Sequence, residues 1–266
     1  MVISATYGHG TENDFVLIYD LEEKLSISAE QVKRICDRNS GVGADGVIRI
    51  AKRDSKWFMD YRNSDGSIAE MCGNGIRVMA RYLVDRGHQT AGIFPIATRD
   101  GNKFLKVPEH GDISVNMGQV SEVPGEIEAI HNGHTFKGFN IDVGNPHAVV
   151  FVESMDLVGS LTEAPHVEPA AEYPEGVNVE FVEILSNGEL RMRVHERGSG
   201  ETRSCGTGTC AVALATTLKE RKRPPISWVI HAPGGRLVVD IDAHFNATLT
   251  GPAVLVRDLD VAGFLD

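Results

Sequence analysis

Residues 71–80 read MCGNGIRVMA, and residues 204–215 read SCGTGTCAVALA. Each stretch sets a cysteine before glycine, a polar residue and a second glycine, then opens a run of helical character. After Gly75, the residues Ile76, Met79, Ala80 and Leu83 recur at helical spacing as far as Gly87. After Gly208 the run TCAVALATTL is apolar or small nearly all round. A helix without a polar face must be buried, and the inside of a curved sheet is a natural place for it.

The chain around these two runs reads as short strands. DFVLIYD, GVIRI, FMDYRN, ISVNMG, HAVVFVE, VNVEFVEIL, LRMRVHERG, RLVVDIDA and NATLTG are rich in β-branched or aromatic residues. Turn signals separate them, among them Ser64-Asp65-Gly66, Asp100-Gly101, Asn187-Gly188 and Gly234-Gly235. A third helix is expected over 28–38, SAEQVKRICDR, with Ser26 or Ser28 as its cap and Cys36 as a core residue. The order repeats: strands, Cys-Gly-Asn-Gly and a helix; strands, Cys-Gly-Thr-Gly and a helix. The expected fold class is α/β (α+β), with two pseudo-symmetric domains, each a mainly antiparallel β-shell around a central helix. MGQVSEVPGE, with its Gly, Pro and acidic residues, places the boundary near 118–125. A site shared by two such halves would receive one cysteine from each.

A cysteine at a helix start meets backbone N–H groups that lack intrahelical partners, and the peptide dipoles favour negative charge there. Such a thiol is expected to ionise below its free value. The same amides can hold a carboxylate, and the glycines let the backbone approach it closely. Thiols on opposite faces of one carbon can remove a proton from one side and deliver one to the other. The carbon inverts without redox change and without a metal. Charge then builds on the neighbouring carboxylate, where a single preorganised donor is worth roughly 2.7–4 kcal/mol in other enzymes.

The whole chain has 266 residues, 42% apolar and 24% charged, which fits a soluble globular protein of one large or two ordinary domains. A formal net charge of −11 disfavours nucleic acid as a partner. The opening MVISATYGHGTENDF lacks the basic and apolar segments of a secretory signal, and no apolar run is long enough to span a bilayer. A cytoplasmic protein with no membrane association is therefore expected. The four cysteines, Cys36, Cys72, Cys205 and Cys210, include no Cys-x-x-Cys pair, and the histidines do not gather around them. No metal is expected, and Cys210 is assigned to the core. Neither glycine motif has the full Gly-x-Gly-x-x-Gly of a dinucleotide site.

NDFVL, GVGADG, NSDGSIAEMCGNG, VGNPHAVV, GVNVEF, ERGSGETRSCGTGTCA and APGGRL together resemble diaminopimelate epimerase over almost the whole chain. The resemblance implies a cofactor-independent, two-base epimerase that interconverts LL- and meso-2,6-diaminopimelate in lysine biosynthesis, assembled as a homodimer. It implies one domain over 1–118 plus 251–266 and a second over 119–250, with the C-terminus returning to the first. It assigns Cys72 and Cys205 as the acid–base thiols, and the backbones of Gly73-Asn74 and Gly206-Thr207 as the carboxylate cradle. Asn13, Asn63, Asn145, Asn178, Glu196 and Arg197 are placed around the substrate, with His147 and Glu196 tuning the thiols. The residue types suit these roles. Arg197 can grip a distal carboxylate bidentately, asparagines both donate and accept, and a neutral His147 can accept a thiol proton. Proline racemase-like enzymes also use two cysteines, but proline has no distal amino-acid end for Arg197 to hold.

Overall fold

The structure, a computed structural model, describes residues 2–266. The chain forms two compact units, one running to Val115 and resuming over Gly251–Asp266, the other over Asn116–Thr250. The first contains β1 (Ser4–Gly10), β2 (Asn13–Tyr19), α1 (Ala29–Cys36), β3 (Gly46–Arg53), β4 (Lys56–Asn63), α2 (Gly73–Asp85), β5 (Gly92–Thr98), β6 (Gly101–Val107) and the start of β7 (Ile113–Gln119). The second contains β8 (Ser121–His131), β9 (His134–Asp142), β10 (Pro146–Phe151), β11 (His166–Glu168), β12 (Asn178–Ile184), β13 (Leu190–Glu196) and β14 (Gly200–Thr202). It continues through α3 (Gly206–Lys219), β15 (Ile226–Ala232), β16 (Gly235–Ile241) and β17 (Asn246–Gly251). The final strand, β18 (Val254–Asp260), pairs antiparallel with β1 and so belongs to the first unit.

The internal repeat is written in the hydrogen bonding. In the first unit the strand order is β18-β1-β2-β3-β4-β5-β6-β7, with β2–β3 and β4–β5 parallel and the other neighbours antiparallel. In the second it is β8-β9-β10-β12-β13-β15-β16-β17, with β10–β12 and β13–β15 parallel and the rest antiparallel. The two patterns are the same, and α2 and α3 occupy equivalent places within them. Helix α2 touches β18, β1, β2, β3 and β6, strands from both halves of its sheet, so the sheet curls around it. Helix α3 is enclosed in the same way by strands from β8 to β16.

Both helices begin earlier than apolar periodicity alone indicates, directly after Cys72 and Cys205, because each cysteine is the N-cap. Burial of α3 is complete enough that its threonines find partners inside the protein. The hydroxyls of Thr209, Thr216 and Thr217 donate to the carbonyls of Cys205, Val212 and Ala213 at 2.6, 2.8 and 2.7 Å. Thr217 also accepts from the Trp228 indole N–H at 2.9 Å. Burying hydroxyls without such bonds would cost a few kcal/mol each. Helix α1 is capped by Ser28 in a reciprocal box with Gln31 and buries Val32, Ile35 and Cys36. Burial pushes the Cys36 thiol up to about 12, which removes it from acid–base chemistry.

The stretch that composition marks as a linker is strand: β7 reaches Gln119 and β8 starts at Ser121. Strands β8 and β9 need close approach to their neighbours at Gly138, where an added Cβ would lie 2.0 Å from the Val149 carbonyl oxygen. Gly138→Ala should therefore separate β9 from β10 and lower stability by about 1–3 kcal/mol. Urea denaturation followed by tryptophan fluorescence measures this. Among the described residues, no helix is long and apolar enough to cross a membrane.

Candidate active site

The parallel pairings decide where functional side chains collect. Because β2 and β3 run parallel and β4 returns antiparallel, Asn13 at the start of β2, Gly46 at the start of β3 and Asn63 at the end of β4 lie at one sheet end. In the second unit, His147 on β10 pairs with Asn178 on β12, and Val179 pairs with His195 on β13, beside Glu196 and Arg197. Asn13 thereby reaches the first turn of α2, and Glu180, two residues beyond Asn178, reaches that of α3.

In the first unit, the Cys72 sulfur accepts from the N–H of Gly75 at 3.4 Å and faces Asn13 Oδ1 at 3.6 Å. Asn13 Oδ1 also accepts from Asn74 Nδ2 at 3.2 Å, and its own amide donates to Asp45 Oδ2 at 2.6 Å. Asp45 is held in turn by Arg38, which bridges it at 2.7 Å to Asp14, gripped at 2.9 and 3.0 Å. Arg38, together with the Tyr7 hydroxyl, holds Asp14 below its ordinary carboxylate range, although burial alone would raise it. Asp45 moves the other way, raised by burial and by the charge of Asp14. Asn74 is buried, and its Oδ1 accepts from the fully buried Arg77 at 3.0 Å. Asn63 stands slightly apart, donating to Ser67 Oγ at 3.0 Å in the turn after β4. Gly46 tolerates no side chain, since a Cβ there would meet the Arg62 carbonyl oxygen at 2.5 Å.

In the second unit, Cys205 repeats this geometry, accepting from the N–H of Gly208 at 3.4 Å, with Thr207 Oγ1 3.5 Å from the sulfur. Its electrostatics depart from the expectation set by a helix start. Burial, followed by the charges of Glu196 and Glu180, pushes the thiol well above its ordinary value, outweighing Thr207 and the Gly208 amide. Burial and the two acids thus oppose ionisation of Cys205. Glu196 accepts from the Thr202 hydroxyl, yet burial raises its own carboxyl. Asn178 is largely spent on architecture: Nδ2 donates to the Pro146 carbonyl at 3.1 Å, and Oδ1 accepts from the Arg197 N–H at 3.0 Å. The Arg197 side chain is exposed, with Glu175 at 3.8 Å.

His147 is buried, with Nδ1 2.7 Å from Glu180 Oε1 and Nε2 3.0 Å from Asn145 Oδ1, so within this unit its side chain bonds these two residues and not Cys205. Glu180 itself escapes a reading of the sequence. In VNVEFV it occupies a polar position of an alternating strand, which ordinarily faces water. Here both faces of the strand are covered, and Glu180 is fully buried. The signal that could have found it is its place two residues after Asn178, on the same face.

Solved structures share this fold at low sequence identity. A phenazine biosynthesis protein of the PhzF family from Bacillus anthracis superposes with a TM-score of 0.73 at 15% identity, covering 98% of this chain and 99% of that one. A hydroxyproline epimerase from Agrobacterium vitis gives 0.71 at 15% identity, covering 97% and 92%. The architecture is thus that of the doubled epimerase and PhzF structures. The sequence narrows the class. The family model for diaminopimelate epimerase matches residues 5–123 and 139–256. The diaminopimelate epimerase of Streptomyces coelicolor is 45% identical over 94% of this chain and 92% of its own length, and that of Acidothermus cellulolyticus is 42% identical over 94% and 93%. The chain belongs to the diaminopimelate epimerase family.

Proposed function

We propose that this protein converts LL-2,6-diaminopimelate to meso-2,6-diaminopimelate in lysine biosynthesis, with Cys72 and Cys205 as its two acid–base groups. Family membership supports the reaction. The pairing of roles is carried by one observation: two cysteines cap equivalent helices in an internally repeated fold, each accepting a backbone N–H at 3.4 Å. One thiol removes the proton from the reacting carbon and the other returns one to the opposite face. Cys205, kept protonated by burial and two carboxylates, is the donor at rest; once it has given up its proton it is a strong base, suited to the reverse direction. The amides of Gly73-Asn74 and Gly206-Thr207 receive the charge that builds on the substrate carboxylate. Arg197, already exposed, takes the distal carboxylate, and Asn13, Asn63, Asn145, Asn178 and Glu196 complete recognition of the two amino-acid ends. No cofactor enters this scheme. The homodimer and the cytoplasmic setting that the resemblance implies belong to the same proposal, and sedimentation tests the first.

Incubating the protein with LL-diaminopimelate in heavy water, with no addition, tests the mechanism. Solvent deuterium should enter the inverted carbon of the product. Inversion with full retention of the original hydrogen in both directions would refute two separate bases, and turnover of proline instead would refute the substrate.

A further inference from the structure

Glu180 is an expensive residue to keep. Its side chain has no exposure, one oxygen is taken by His147 Nδ1 at 2.7 Å, and the other, Oε2, has no hydrogen-bond partner. An orphaned buried carboxylate oxygen costs at least as much as a lost hydrogen bond, and native proteins rarely carry one without a role. The carboxylate also rests on the first turn of α3. An added Cβ on Gly208 would lie 2.5 Å from Glu180 Oε1 and 3.3 Å from Cys205 Cβ, so only glycine admits the acid at this point. Glu180 thus touches both His147 and the turn that Cys205 caps.

We infer that Glu180 is a positioning residue for the epimerisation, fixing the ring of His147 through Nδ1 and setting the local negative field at Cys205. A carboxylate only accepts, so a hydrogen on Nδ1 is committed to it, and the ring is pinned between Glu180 on one nitrogen and Asn145 on the other. The charged and titratable groups facing Cys205 within the unit are Glu196 from β13 and Glu180 from β12, with His147 on β10 behind Glu180. Glu180 makes no hydrogen bond to the thiol and acts through space and through the helix turn.

The catalytic consequence rests on the two-thiol reading; the field at Cys205 does not. Glu180→Gln keeps the shape and an acceptor for Nδ1 while removing the charge. Alkylation by iodoacetamide across a pH series, with peptides resolved by mass, reports Cys72 and Cys205 separately and needs no turnover. In E180Q the Cys205 midpoint should fall by about one pH unit or more, while that of Cys72 holds. Turnover should drop by about tenfold or more with KM nearly unchanged. An unmoved Cys205 midpoint in folded E180Q would overturn the inference. Should E180Q fail to fold, Glu180→Asp retains the charge but withdraws it by one methylene. It should keep the wild-type alkylation midpoints and lose turnover, whereas undiminished turnover would overturn the positioning role. Full activity in Cys205→Ala would defeat the two-thiol reading and leave the alkylation result standing.

Discussion

Cys72→Ala and Cys205→Ala should each lower epimerisation by at least about 10³-fold while leaving the fold intact. Positioned proton transfer contributes about 10²–10⁴-fold per group, and inversion needs both transfers. The structural cost is small, because each sulfur serves its helix through one long contact of 3.4 Å to a backbone amide. Replacing a cap by alanine typically costs ~1 kcal/mol, too little to unfold either unit. The check is a coupled measurement of turnover and thermal melting on the same preparations. Wild-type turnover by either variant would remove that cysteine from the mechanism. The variants should also differ in exchange: each retains one base and so should preserve hydrogen exchange from one face only, which deuterium labelling of each isomer would resolve.

Asp60→Ala, unlike the cysteine substitutions, should act on stability, and strongly. Its carboxylate is buried on β4 and is bonded by Arg49 at 2.6 and 2.9 Å and by Arg99 at 2.5 Å. Burial alone would raise this acid, but the arginines win and hold it below the ordinary carboxylate range. Removing it leaves Arg49 to Glu23 and the Leu25 carbonyl, each at 3.0 Å, and Arg99 to long contacts of 3.4 and 3.3 Å with the Tyr61 and Ala69 carbonyls. Breaking a buried pair in this way costs about 3–5 kcal/mol, a large share of the ~5–15 kcal/mol that holds a typical domain. The pH dependence has a definite sign. With the folded value depressed, the contribution is complete above the unfolded value near 3.8 and fades as pH falls through the lower folded value. Wild type should therefore lose stability steeply below about pH 4, and the variant should lose less over the same window. Equal acid slopes in urea titrations of the two proteins would count against this account.

The cysteine caps, the enclosed helices and the doubled order are legible in the residues, because helix periodicity and glycine-rich turns are local signals. NATLTG marks β17 over the same residues, and GVIRI and HAVVFVE fall on β3 and β10. The strands β1, β5, β6, β8, β9, β11, β14, β15 and β18 are not legible. Strand β8 carries Pro124, Gly125 and three glutamates and buries only Ile127 and Ala129, so its composition reads as a turn. Strand β18 is a mostly exposed edge whose membership of the first sheet depends on pairing with residues at the opposite end of the chain. The same limit applies to the site. The helix-start effect on Cys205 can be read from SCGTG, but the burial and the two acids that reverse it come from β12 and β13. Asp45, which orients Asn13, sits in GVGADG without any local sign that it will meet that side chain.

Strand β18 also bears on how the protein is made. Synthesis proceeds from the N-terminus, and domains usually fold in that order. Here the later unit is one uninterrupted stretch of chain, while the earlier one must wait with the edge of β1 uncovered until Val254–Asp260 leaves the ribosome. An unpaired edge is a template for wrong partners. The second unit should be native first on the ribosome, and a chain halted before residue 254 should hold its first unit open to protease and chaperone.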